Sequence, residues 1–142
     1  MVILDSDYLT LLQWPESSVA QIIRERLMHH RPEDVMATIV SFEEHMQGRI
    51  SAIGKEKEIR NQIDKYRSMK QSVTAFCSIK LLDFDEVAAT EFQALRKRYR
   101  RLGTMNLKIA AIVLAHRAEL WTRNMKDFGQ ISGLNAVDIT KE

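Results

Sequence analysis

Acidic residues recur where short apolar runs of this chain end, and acids placed in that way can gather around a divalent cation. Val2-Ile3-Leu4 runs into Asp5-Ser6-Asp7, the apolar stretch from Val35 to Phe42 runs into Glu43 and Glu44, and Glu119 to Thr122 is followed by Asn124 and Asp127. Asn106 falls in the first turn of an apolar helix that must start near the same rim. In open α/β sheets, ligands bind beyond the carboxyl ends of the strands. Several carboxylates collected there would repel one another unless a cation neutralised them. Hard oxygen ligands favour Mg²⁺ or Mn²⁺, and Mg²⁺ usually keeps several waters while one or two carboxylates hold it. One such water, made more acidic, could attack a phosphodiester, with Ser6 and Thr122 orienting ligand or water by hydrogen bonds. Spacing alone leaves a second reading open, in which these acids only cap helices and form turns.

The elements that would position these residues alternate between strand and helix. Val2 to Leu4 is apolar throughout, as in a strand buried on both faces. After Pro15, Ser17 and Ser18 can cap a helix carrying Val19, Ile22, Ile23 and Leu27 and running to about Met28. Val35 to Phe42 reads as a second buried strand, followed by the helix-favouring Glu43-Glu44-His45-Met46-Gln47. From about Lys55 to Phe76 the stripe Ile59, Ile63, Tyr66, Met69 and Val73 predicts one helix or two abutting ones. Ile79 to Leu82 is a short strand, and Asp83 or Asp85 can cap a helix whose apolar face is Val87, Ala88, Phe92, Leu95 and Tyr99 and which stops at Gly103. Thr104 is the expected N-cap of the next helix, whose apolar run from Ile109 to Leu114 belongs deep in the core. Glu119 to Thr122 is another strand, Arg123 to Asp127 a polar turn, and Ala136 to Ile139 a last strand. This order predicts an α/β fold with a mainly parallel central sheet flanked by helices on both faces.

The chain of 142 residues suits a single domain over 1–142, with a core large enough to fold without disulfides. The single cysteine, Cys77, cannot pair within the chain; it is expected as a small buried hydrophobe, and a cytoplasmic location follows from that cysteine usage. No apolar run approaches the roughly 20 residues needed to cross a bilayer. The net charge of +2 is too mild to establish a nucleic-acid partner by itself. Basic residues nevertheless crowd one helix end, at Arg96, Lys97, Arg98, Arg100 and Arg101. Positive charge near a helix C-terminus has its own electrostatic reason, so these residues read either as a solvated helix end or as phosphate contacts.

Four segments taken together resemble, in order, the motif blocks of VapC-like PIN domains. They are Ile3-Leu4-Asp5-Ser6-Asp7, the run from Ile39 through Glu43-Glu44 to Gly48, the run from Gly103 through Asn106 to Ala111, and Thr122-Arg123-Asn124-Met125-Lys126-Asp127-Phe128. Leu82-Asp83-Phe84-Asp85 and Ile131-Ser132-Gly133-Leu134 fit the same pattern, so the similarity covers nearly the whole chain. The resemblance implies a PIN-like fold and a toxin endoribonuclease that uses acidic residues to hold Mg²⁺ or Mn²⁺. It also implies a small antitoxin partner and a homodimer. Carried onto this sequence, the first acid is Asp5 and the second is Glu44, placed by Gly48 four residues on, with Glu43 the weaker candidate. The third position is Asn106, and the fourth acidic region covers Asn124 and Asp127. Arg96, Arg98, Arg101 and Arg123 are the expected RNA contacts.

Asn106 departs from the family, which has Asp there. An amide oxygen can coordinate a cation but brings no charge and cannot act as a base, so metal affinity and water activation should both fall. An inactivated copy of a toxic protein, a natural member without activity, and an enzyme working with fewer acids would each explain it; the first is preferred, because a host making an RNA-cutting toxin selects for inactivation. The expected function is a metal-dependent endoribonuclease with weakened or abolished catalysis, and the alternative is a non-catalytic RNA-binding or antitoxin-sequestering module. Asp7 is read as structural, the scattered His29, His30, His45 and His116 as ordinary helix residues, and Trp14 and Trp121 as core or interface aromatics. Apolar surface around Leu9, Leu11, Leu12 and Trp14 is the expected dimer face.

Overall fold

Val2, Ile3 and Leu4 form a strand with every side chain buried, and a strand of that kind belongs at the middle of a sheet. The computed structural model, which describes residues 1–13 and 16–141, puts it there. Five strands, β1 (Val2–Leu4), β2 (Val35–Thr38), β3 (Lys80–Leu82), β4 (Glu119–Trp121) and β5 (Asn135–Val137), lie in the order β3-β2-β1-β4-β5 with every pairing parallel. Leu4 pairs with Trp121, and the Asp5 amide donates to the Trp121 carbonyl at 2.9 Å. Asp5 and Thr122 therefore leave the sheet as neighbours.

Seven helices, α1 (Ser6–Leu12), α2 (Ser18–Leu27), α3 (Ile39–Lys55), α4 (Ile59–Cys77), α5 (Glu86–Arg98), α6 (Thr104–His116) and α7 (Met125–Phe128), are found among the described residues. Side chains alternate across a strand, and the core divides accordingly. Ile3, Met36 and Leu120 pack with α5 and α6 on one face. Val2, Leu4, Ala37 and Trp121 pack with α1, α2 and Phe76 of α4 on the other. The helix α6 is buried from Ile109 to Val113 without a gap, as its apolar run predicts. Truncating Ile112 there to Ala would remove about 2–5 kcal/mol.

Several boundaries differ from those the sequence suggests, each for a local reason. The second strand stops at Thr38, whose Oγ1 accepts from the Ser41 amide at 2.9 Å; this cap starts α3, so Ile39 to Phe42 are helical. The long charged stretch is a single helix, α4, which begins at Ile59 instead of near Lys55 because α3 runs on to Lys55; the Gln62 side chain donates to the Ile53 and Glu56 carbonyls where α3 ends. Gly103, not Thr104, is the N-cap of α6. The polar turn after β4 contains α7, capped by Asn124, and the last strand is shorter than expected and starts one residue earlier, over Asn135–Val137.

One expectation about surface is overturned. Cys77 is exposed at the end of α4. Leu9 is buried, while Leu11 and Leu12 are half-buried against the core, and Leu9 and Leu12 line an open groove. The exposed apolar residues stand elsewhere, chiefly Ile59, Ile63 and Tyr66 on α4. Trp14 and Pro15 lie outside the described residues. No helix among the described residues is long and apolar enough to cross a membrane.

Candidate functional site

Asp5 occupies the first position past β1 and is the N-cap of α1, where its Oδ1 accepts from the Ser6 amide at 2.9 Å. Its Oδ2 accepts from the Thr122 hydroxyl at 2.8 Å. Only 6% of Asp5 is exposed. That burial raises its pKa above the ordinary range; the Thr122 and Ser6 hydrogen bonds oppose the rise, and the nearby charge of Glu44 adds to it. The Ser6 hydroxyl donates to Glu44 Oε1 at 3.4 Å, linking the first turn of α1 to α3. Glu44 is half-buried on this side, whereas Glu43 is exposed.

Thr122 joins this pair of acids to a second group. While its hydroxyl donates to Asp5, the same oxygen accepts from the Asn124 amide at 3.0 Å. The Asn124 side chain caps α7 by accepting from the Asp127 amide at 3.3 Å, and its Nδ2 donates to Asp127 Oδ2 at 3.2 Å. Asn106 reaches the same oxygen from the first turn of α6, its Nδ2 donating to Asp127 Oδ2 at 3.0 Å. The carboxyl rim thus brings Asp5 together with Glu44, and Asn106 together with Asn124 and Asp127, with Thr122 between the two sets. Among the described residues, however, no three His, Cys, Asp or Glu side chains gather closely enough to hold a metal ion. The carboxylates of this rim are thus divided, Asp5 with Glu44 on one side and Asp127 on the other, where the Asn106 amide donates to it.

The oxygen donors still suit a hard cation. Asp5 and Glu44 repel each other, a repulsion that a divalent ion would relieve, and two carboxylates with retained waters satisfy Mg²⁺. The Asn106 amide oxygen and Asp127 could add weaker oxygens to that set. The residues fit a loosely held Mg²⁺ or Mn²⁺, not a closed cage.

Asp7 adds a tie that sequence reasoning missed. Its Oδ2 accepts from the Arg123 backbone amide at 2.9 Å, while its Oδ1 is buried without a partner. Burial and the Asp5 charge push its pKa up to about 6, against the Arg123 and Tyr8 amides that favour the ionised form. Beneath it, the Tyr8 hydroxyl donates to Asp138 at 3.0 Å and accepts from the Ile139 amide at 2.9 Å.

The basic residues divide by role. Arg96 donates to the Leu102 carbonyl at 2.9 Å and to the Thr104 hydroxyl at 3.0 Å, stitching the loop between α5 and α6. Arg98 stacks over Tyr99. Arg101 and Arg123 are exposed. His45 follows Glu44 on α3 but bonds Ser72 of α4 at 2.7 Å; burial, then Arg49, lowers its pKa. An open apolar groove of about 870 Å³ lies apart from the acids, lined by Leu9, Leu12, Leu27, Val35 and Ile79 among others.

No family model matches the sequence, and no curated protein matches it. Solved structures share its fold along essentially its whole length. A chain of the DNA-bound VapBC structure from Salmonella typhimurium is 18% identical, with 97% of each chain covered and a TM-score of 0.76. A chain of VapBC-1 from nontypeable Haemophilus influenzae is 22% identical over 99% of this chain and 100% of that one, with a TM-score of 0.74. A chain of FitAcB from Neisseria gonorrhoeae is 17% identical over 100% of both, with a TM-score of 0.73. The α/β, PIN-like architecture expected from the sequence is the one the chain adopts, and its structural neighbours include chains of VapBC structures.

Proposed function

We propose that this chain is an endoribonuclease of the VapC toxin type that depends on Mg²⁺ or Mn²⁺, with catalysis weakened or lost through Asn106. The observation that carries the reading is the buried Asp5, bonded to Thr122 and facing Glu44 at the carboxyl rim of the parallel sheet, on a fold shared with chains of VapBC complexes. Asp5 and Glu44 would be the charged ligands, with Asn106 a neutral one. A bound cation supplies charge for the phosphodiester oxygens and a water acidic enough to attack. Thr122 and Ser6 hold the two acids in place, and the exposed Arg101 and Arg123 meet RNA phosphates. Asn106 takes no proton from water, so the base that an Asp would supply is missing.

The partner is a small antitoxin, as the toxin–antitoxin complexes among the structural neighbours suggest, and the apolar groove beside α1 and α2 is the surface that such a protein would cover. The chain works as a cytoplasmic homodimer, for which the exposed Ile59, Ile63 and Tyr66 are better candidates than Leu9 to Leu12. A non-catalytic RNA-binding or antitoxin-sequestering module is the second reading. The bond from Asn106 to Asp127 favours it, because the acid is satisfied without a cation.

One comparison separates them. The protein and its Asn106→Asp variant are incubated with total RNA, with and without Mg²⁺ or Mn²⁺, and each is expressed in cells. Metal-dependent cutting or growth arrest by the variant supports the enzyme, and silence of the variant in both assays sinks it.

A further inference from the structure

We infer that Asp7 is a positioning residue for the pocket: its carboxylate pins the loop after β4 so that Asn124 and Asp127 stand opposite Asp5 across Thr122. This rests on the pocket being the functional site proposed above. An acid in the first turn of a helix needs no further reason than the helix dipole, but such a residue leaves both oxygens in water. Asp7 does not. Its Oδ2 takes the Arg123 amide, a contact that spans 116 positions of chain, and its Oδ1 is enclosed with no partner. Enclosing an unpaired carboxylate oxygen beside Asp5 is destabilising, and a Ser or Asn in the same turn would serve α1 without that burden.

The geometry shows what the burden achieves. Three successive residues of the loop are held from the rim: Thr122 by Asp5 Oδ2, the Arg123 amide by Asp7 Oδ2, and the Asn124 amide by the Thr122 hydroxyl. Asn124 in turn caps α7 and grips Asp127, which Asn106 grips from the other side. Asp5 and Asp7 stand at the cap and in the first turn of one helix, so a single rigid turn sets the position of the whole loop. Releasing the Arg123 amide would let the loop shift without disturbing the core, since the contacts of α6 with the sheet do not pass through it. Arg123 itself would lose a fixed backbone while its exposed guanidinium still faced solvent.

The test uses the intact protein and neither RNA nor metal, so its outcome is independent of whether the chain cuts RNA. Nitrogen-15 NMR spectra are recorded for the protein, for Asp7→Ala and for Asp7→Asn, together with amide hydrogen exchange. Asp7→Ala is expected to speed exchange at the Arg123 amide about tenfold, the size of one lost hydrogen bond. It should also move the side-chain amide signals of Asn106 and Asn124, leaving protection from Leu107 to Val113 intact. Asp7→Asn keeps an acceptor oxygen and should return those signals toward their original positions. Unmoved Asn106 and Asn124 signals in Asp7→Ala would overturn the inference. So would loss of protection throughout α6, which would make Asp7 a residue of the fold alone. If Asp7→Ala does not fold, Asp7→Ser carries the same measurement, and failure of both to fold also overturns it.

Discussion

Asp5 and Asp127 are both carboxylates at the carboxyl rim of one parallel sheet, and they differ in what faces them. Asp5 is buried, takes its hydrogen bonds from Ser6 and Thr122, and meets a second carboxylate in Glu44. Asp127 is half-buried and meets two amides, Asn106 and Asn124, on the same oxygen. The first half of the pocket is left with repulsion that something from outside must relieve. The second half supplies its own donors, and the residue that makes this so is Asn106.

The largest effect should come from the residue that joins the halves. Thr122→Val keeps the shape but removes the hydroxyl, leaving a buried carboxylate oxygen of Asp5 without its donor; we expect about 3 kcal/mol lower stability in urea unfolding. A loss below about 1 kcal/mol would mean that Asp5 does not depend on the protein for its solvation.

Asn106→Asp should make the second half resemble the first. It replaces a donor 3.0 Å from Asp127 by a second carboxylate, and stability without divalent ions should fall by about 2 kcal/mol. Mn²⁺ should restore it, and calorimetric titration should show tighter binding to the variant than to the protein itself. Equal affinities would mean that position 106 is not a ligand.

A smaller effect tests the crowding around Asp5 by pH. The pKa of Asp7 is about 6 against an ordinary 3.8, so its contribution to stability is complete below pH 3.8 and is lost as pH rises through 6. Asp7→Asn should match the protein near pH 4 and exceed it by about 1 kcal/mol at pH 7, after allowance for solvent screening of a partly buried group. The opposite slope would show that the Arg123 amide stabilises the charge more than burial and Asp5 oppose it. The smallest stability effect belongs to the exposed cations. Arg101→Ala and Arg123→Ala should change stability by less than about 0.5 kcal/mol, while each lowers the salt slope of RNA binding by about 1.

The sequence made the strand alternation legible because buried parallel strands are short apolar runs, and Asp5 because it ends the clearest of them. It left the end of β2 illegible, since Ile39-Val40-Ser41-Phe42 suits a strand until the Thr38 hydroxyl caps the helix. Glu44 could be preferred to Glu43 only through the motif blocks; in the structure Glu44 lies on the Ser6 side and Glu43 in solvent. The particular ties of Asp7 and Arg96 were illegible for one reason: each bonds a backbone group, Arg123 N–H or the Leu102 carbonyl, and backbone partners carry no residue signature. The departure at Asn106 was visible at once, but its bond to Asp127 needed the fold.

The strand order β3-β2-β1-β4-β5 also governs when the pocket can exist during synthesis. β1 is translated before its neighbour β4, and Asp5 meets Thr122 only after 117 further positions of chain have been made. At about 5–20 residues per second, that wait is on the order of ten seconds. Through that time the most apolar strand of the sheet has one edge unpaired and its acid has no hydroxyl donor. A nascent chain therefore carries no assembled acidic rim, and whatever the rim binds must wait until the ribosome has passed β4.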